Sequence, residues 1–188
     1  MSFRGQAVRA AAGVTVAALA AGCTLVHSSS ASPANSSTAL GATIFPLAQR
    51  PALPAVSGST LTGGKLRLAA DRGHVIVLNY WGSWCSVCQQ EAPALATAAR
   101  QFTPSGVRFV GVDVADNAAS GRAYMQHHGL RYPSLNDPGD RIAAEFNRII
   151  PIADFPSTLV IAPDGRIAGR VIGAASDRDL RHLIKAAL

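Results

Sequence analysis

Hydrophobic and polar positions divide the chain into a beginning with little pattern and a remainder that is regularly patterned. From Val56, SGSTLTGGKLRL predicts a hairpin, with strands around Ser59–Leu61 and Lys65–Leu68 about a Gly63-Gly64 turn. Val75–Tyr80 is short, apolar and β-branched without interruption, as expected of a central strand buried on both faces. A helical pattern then runs from Cys85 to about Phe102. Pro93 lies inside it and should bend it through the lost N–H. Thr103–Gly106 breaks that helix, and Val107–Val114 reads as a second buried strand. Ala118–His128 is a helix stopped by Gly129, Tyr132–Asn136 a short strand, and Asp137-Pro138-Gly139 opens a helix through about Asn147. Strands Thr158–Ile161 and Ile167–Ile172 are joined by a Pro163-Asp164-Gly165 turn, and Asp177–Ala187 is the last helix. Alternating β and α segments closed by an antiparallel hairpin predict an α/β fold, a mixed sheet with helices on both faces.

The 188 residues, 48% of them hydrophobic, suffice for one ordinary domain and a tail. The domain is expected over 55–188. Before it, 23–54 reads as a tether: HSSSASPANSSTALGA offers little apolar surface to offset ordering, and Pro46, Pro51 and Pro54 keep the chain extended. The formal charge of +6 comes almost wholly from scattered arginines. No basic stripe interleaves with aromatics, so a solvated surface is favoured over a nucleic-acid interface.

Three cysteines, Cys23, Cys85 and Cys88, leave one over from any pair. Met1–Arg9 is a short basic segment, and Ala10–Ala21 is an apolar run too short to span a bilayer comfortably. Leu19-Ala20-Ala21-Gly22-Cys23 resembles a bacterial lipobox, although Ala20 stands where leucine is usual. This implies a signal peptide over 1–22 and a lipidated Cys23, with acyl chains holding the protein to the outer face of the cell membrane. The other reading is a plain secretory signal with an incidental cysteine. Arg4 and Arg9 are not adjacent, so there is no twin-arginine signal.

The chemistry concentrates in VIVLNYWGSWCSVCQQEAP, Val75–Pro93. Two cysteines two residues apart at a helix start are within reach of a disulfide, in a ring short enough to open and close easily. Unpaired N–H groups and the helix dipole favour the thiolate of Cys85. A zinc module would need a second ligand pair, and a c-type haem site would need histidine where Gln89 stands. Gly82 occupies the place where a thiol peroxidase usually has Thr or Ser, and a Sco-type copper carrier would need one more residue between the cysteines. His127 and His128 lack cysteine or carboxylate support for a metal, and His74 reads as a surface residue rather than a base.

Trp84-Cys85-Ser86-Val87-Cys88 with Glu91 and Pro93 resembles the WCxxCxxExP signature of the TlpA/ResA-like branch of the thioredoxin superfamily, and the resemblance extends from about Pro54 to the C-terminus. It implies a thioredoxin-like fold with an N-terminal β-hairpin extension, and an extracytoplasmic thiol–disulfide oxidoreductase that needs no cofactor beyond its Cys85–Cys88 disulfide. It implies roles as well. Cys85 attacks, Cys88 resolves, and Glu91, on the same helix face as Cys88, is a buried carboxylate that tunes or shuttles protons. The other reading of Glu91 is an exposed first-turn residue. Asn79 stands where ordinary thioredoxins carry a buried aspartate, and an amide shuttles no protons. Asp154-Phe155-Pro156 resembles the start of the family's cis-proline strand, which makes Pro156 that proline and lets the Phe155 backbone meet an extended client; relatives usually have Gly and a small aliphatic residue there. Trp84 joins these two at the client-facing surface, and Trp81 serves as a wall.

By the same resemblance the partners are cysteine-containing clients, for example apocytochrome c before haem attachment, and a membrane protein that delivers electrons. An oxidant or isomerase of exported proteins, and a non-enzymatic redox or copper-binding lipoprotein, remain alternatives.

Overall fold

The computed structural model describes residues 36–37, 41–151 and 154–188. The expected signal segment, the lipobox and Cys23 lie outside the described residues. No helix among the described residues is long and apolar enough to cross a membrane.

In chain order the elements are β1 (Ser36–Ser37), β2 (Ala42–Ile44), β3 (Ser57–Ser59), β4 (Lys65–Arg67), β5 (Ile76–Trp81) and α1 (Ser86–Phe102). They continue with β6 (Arg108–Val114), α2 (Ala118–His128), β7 (Ser134–Asp137), α3 (Arg141–Ala144), β8 (Ser157–Ile161), β9 (Ile167–Ile172) and α4 (Asp177–Ala187). Seven strands form one mixed sheet in the order β1-β2-β9-β8-β5-β6-β7, and β3 and β4 pair separately. Strands β5, β6 and β7 run parallel, β8 lies antiparallel beside β5, and β9 lies antiparallel beside β8. This is the mixed sheet that the alternation of segments predicts, in the thioredoxin-like arrangement that the family resemblance implies.

Every residue of β5 is buried, because the strand is central and both of its faces are covered. On one face Val77 and Trp81 join Leu95 and Ala96 of α1, Tyr124 of α2, and Leu180, Leu183 and Ile184 of α4. On the other, Ile76, Leu78 and Tyr80 meet Phe146, Ile149 and Ile150 together with Val56 and Leu68. Helix α4 starts with a reciprocal cap, Ser176 and Asp179 each bonding the other's backbone N–H.

Three segments differ from the sequence expectation, each for a physical reason. The domain begins before Ala55: β2 pairs along β9, Ala52 bridges to Arg166, and Ala42 is fully buried. Backbone pairing at a sheet edge needs no apolar periodicity, so this segment passes for a tether. The first hairpin strand lies at Ser57–Ser59 rather than Ser59–Leu61. Thr60 closes the turn onto Gly64, and Leu61 has crossed to β7, where its N–H donates to Ser134 at 2.9 Å. The helix expected through Asn147 stops at Ala144 and continues as tight turns, from Glu145 N–H to Ile142 (3.2 Å) through Ile149 N–H to Phe146 (2.7 Å). Its start is delayed too, since the Asp137 carboxylate caps Ile142 and Ala143 N–H.

Candidate active site

The site is built where β5 ends and α1 begins. Strand β5 delivers Asn79 and Trp81 to the α1 face, and the chain turns at Gly82, where an added Cβ would meet the Trp84 indole. Cys85 is the N-cap of α1, extended at φ −86°, so its sulfur faces the open N–H groups of the first turn. Cys88 N–H donates to Cys85 Sγ at 3.1 Å. That contact aims a first-turn N–H at the Cys85 sulfur, the geometry that favours a thiolate once the disulfide is open. The two cysteines are joined as a disulfide with Cα atoms 5.2 Å apart. Cys85 retains 5% of its accessible surface and Cys88 none, which makes Cys85 the more accessible residue of the pair.

Around the pair the walls have different characters. Trp81 is fully buried and stacks on Tyr124 at 4.4 Å, and the Tyr124 hydroxyl donates to Cys88 O at 2.7 Å. Trp84 is 55% exposed; its indole N–H donates to Val114 O at 3.1 Å and its ring meets Phe155 edge-on at 5.9 Å. Val87 is exposed beside them. The Phe155–Pro156 peptide is cis, as the family resemblance implies. Trp84, Val87 and Phe155 thus give the disulfide an apolar, open rim.

Glu91 is buried at 2% exposure, so it is not a solvated first-turn residue. Its Oε1 accepts from Asn79 Nδ2 at 2.7 Å and its Oε2 from Ala175 N–H at 2.9 Å. Asn79 Nδ2 also donates to Thr158 Oγ1 at 3.0 Å, tying β5 and β8 to the carboxylate of α1. Burial drives the Glu91 carboxyl up to about 7, and the two hydrogen bonds oppose it without cancelling it. A group titrating there exchanges protons readily at neutral pH.

Sequence reasoning assigned Asn79 no role, yet it orients Glu91. It also passed over Thr158, the Ala175 N–H, Tyr124 and two aspartates at the end of β6. Only Asp113 left a signal, a carboxylate inside the otherwise apolar FVGVDV. His127 and His128 touch ring to ring at 4.8 Å at the end of α2, and His74 is half-buried away from the disulfide. No group of three ligand side chains among the described residues could hold a metal ion.

Residues 50–170 match the AhpC/TSA family. The thiol-disulfide oxidoreductase ResA of Bacillus subtilis (strain 168) is 27% identical over 126 residues, 65% of this chain and 68% of the relative. ResA of Geobacillus kaustophilus (strain HTA426) is 28% identical over 124 residues, 65% of this chain and 69% of the relative. Among solved structures, a DsbF homologue from Corynebacterium diphtheriae superposes with a TM-score of 0.72 at 25% identity, covering 80% of this chain and 96% of that one. A secreted thiol-disulfide isomerase from Corynebacterium glutamicum gives 0.73 at 24%, covering 81% and 95%, and speaks for the fold. With well over half of its length matched and a Cys85–Cys88 pair at disulfide distance, the chain belongs to the AhpC/TSA family of the thioredoxin superfamily, among its ResA/TlpA-like thiol–disulfide oxidoreductases.

Proposed function

We propose that this oxidoreductase works outside the cytoplasm as a reductant of client disulfides. The single observation that carries the reading is the buried Glu91 carboxyl, held by Asn79 and Ala175 on the same helix as the cysteine pair. Reduction of a client begins with the Cys85 thiolate attacking one client sulfur, which forms a mixed disulfide and releases the other client sulfur as a thiolate. The Cys88 thiol loses its proton and attacks Cys85, which closes the Cys85–Cys88 disulfide and frees the second client thiolate. Two electrons pass to the client, and Glu91 is the acid–base group for the proton of Cys88. The redox group is the disulfide itself, with no added cofactor. Trp84, Phe155 and Pro156 are the surface on which an extended client segment lies.

Location and clients follow from the same reading. Met1–Gly22 is the export signal, and lipidated Cys23 tethers the domain to the outer face of the membrane, where a membrane protein re-reduces the pair. Apocytochrome c, with its CxxCH cysteines oxidised, is the client class that the WCxxCxxExP resemblance of Trp84–Pro93 favours. Disulfide formation in exported proteins is the second reading, since the Cys85–Cys88 pair can run exchange in either direction.

Cys88→Ser should accumulate a mixed disulfide with an oxidised CxxCH peptide, Cys85→Ala should form none, and the wild type should reduce that peptide faster than an unrelated disulfide peptide. Equal rates would remove the cytochrome client; a Cys85→Ala variant that still exchanges would remove the mechanism. Cys23→Ser should move the protein from the membrane fraction to the soluble exported fraction.

A further inference from the structure

Two carboxyl groups that take no part in the Glu91 network meet at the C-terminal end of β6. Asp113 is fully buried, flanked across the sheet by Trp81 of β5 and Asn136 of β7. No N–H or O–H among the described residues donates to either of its oxygens. Instead its carboxyl faces that of Asp116, within hydrogen-bonding reach once one of the two holds a proton. Helix α2 is shaped to this group: Gly121 passes directly over it, and a Cβ there would collide with Asp113 Oδ2.

Asp116 carries the connection to the cysteines. Its Oδ2 accepts the Ser83 N–H at 2.8 Å and its Oδ1 the Asn117 N–H at 2.7 Å. Ala115, next to it, is held at φ +48°, a left-handed conformation that alanine rarely adopts. Val114 O takes the Trp84 indole N–H at 3.1 Å. The turn Val114–Asn117 therefore grips the two residues before Cys85, one through a backbone N–H and the other through its side chain.

We infer that Asp113 and Asp116 form a proton-sharing acid pair that positions the Ser83–Trp84 loop, and through it Cys85, for exchange. The inference rests on the proposed attacking role of Cys85, and both aspartates are positioning residues. With one proton between them, neutral Asp113 donates to anionic Asp116, which is then held in place to accept Ser83. Burial, and after it the charge of Asp116, lifts the Asp113 carboxyl to about 8. Above that pH two anions face each other, and the hold on Ser83 loosens.

Other groups around the pair do not titrate in that window. Trp81, Ser134 and Asn136 are neutral, and Arg122 of α2 donates to Leu61 O at 3.1 Å as a permanent cation. Tyr124 is pushed above its ordinary value by burial, and His128, its ring tilted against that of Tyr124, is lowered from its ordinary value by burial and by His127.

Tryptophan emission of the full-length oxidised protein, followed from pH 6 to 10, tests the pair, because in that form neither sulfur titrates. The wild type and Glu91→Gln should both show a step near pH 8. Asp113→Asn, whose amide donates at every pH, should lack it, and Asp116→Asn, which leaves Asp113 buried but removes the facing charge, should move it to lower pH. In exchange with a small aromatic disulfide, the wild-type rate relative to Asp113→Asn should fall about tenfold between pH 7 and 9. A step that persists unshifted in Asp113→Asn overturns the inference. Should neither variant fold, the 13C carboxyl resonance of Asp113 in the wild type decides: a midpoint near 8 supports the pair, and one near the ordinary value of about 4 overturns it. Wild-type protein without exchange at any pH would refute the proposed function instead; exchange without a step near pH 8 would refute only the pair.

Discussion

Two buried carboxyls flank the cysteine pair, and they are wired in opposite ways. Glu91 comes from the helix side, with a side-chain amide on one oxygen and a backbone N–H on the other. Asp113 comes from the sheet side, meets no N–H, and faces a second carboxyl. Burial lifts both out of the ordinary range, to about 7 and about 8. A buried carboxyl given two donors can hold its charge and so can pass a proton on. A buried carboxyl given another carboxyl keeps its proton and turns it into a structural bond. Raised pKa values alone would not distinguish the two; their partners do.

The largest effect should come from the reaction itself, against which both carboxyls are measured. Cys85→Ala should abolish disulfide exchange, by a factor of at least about 10³ in kcat/KM against an oxidised peptide. Next is the pH dependence of stability in the oxidised protein. Glu91 titrates at about 7 when folded against an ordinary 4.5, so between these values the native state binds more protons than the unfolded one. Stability therefore falls as pH rises through that window, by about 3 kcal/mol for Glu91, and Asp113 extends the fall towards pH 8. Urea unfolding at pH 5, 7 and 8.5 checks the sign, and Glu91→Gln should flatten the lower part of the curve but leave the upper part. A curve that rises with pH would mean that neither group keeps its proton.

Smaller in size, and more diagnostic, is the rate effect of Glu91→Gln. It should lower exchange by about 10–100-fold at neutral pH and remove the inflection near 7 from the pH–rate profile. Asn79→Ala separates proton transfer from orientation. It strips Oε1 of its donor, so the inflection should move to higher pH rather than vanish, with a stability loss of about 1–3 kcal/mol. An inflection unmoved in Asn79→Ala would mean that the amide does not hold the carboxylate.

Much of this was legible in the sequence because it follows local rules. The run VIVLNYW, the N-cap position of Cys85 and the Gly129 stop are set by nearest neighbours, and the structure has α2 and α4 at Ala118–His128 and Asp177–Ala187 as the pattern gives them. The Trp-Cys-x-x-Cys motif with Glu91 likewise named the site. What stayed hidden depends on contacts distant along the chain. Strand β2 owes its place to the edge of β9, and its backbone bonds leave no mark on residue type. The Ala175 N–H that meets Glu91 lies 84 residues away. Asp116 reads as a solvated loop aspartate until the fold brings Ser83 against it. Helix α3 is short because the Asp137 carboxylate, four residues before its first turn, fixes where it starts, and the chain beyond Ala144 closes in tight turns.

The reduction potential of the Cys85–Cys88 pair at pH 7, read from tryptophan emission in graded thiol/disulfide buffers, tests the central claim most directly. A reductant should give a single two-electron transition near thioredoxin's value, about −270 mV. A value near about −120 mV would contradict that account and make the protein a disulfide-forming oxidant, and the absence of any transition would leave the pair without redox chemistry.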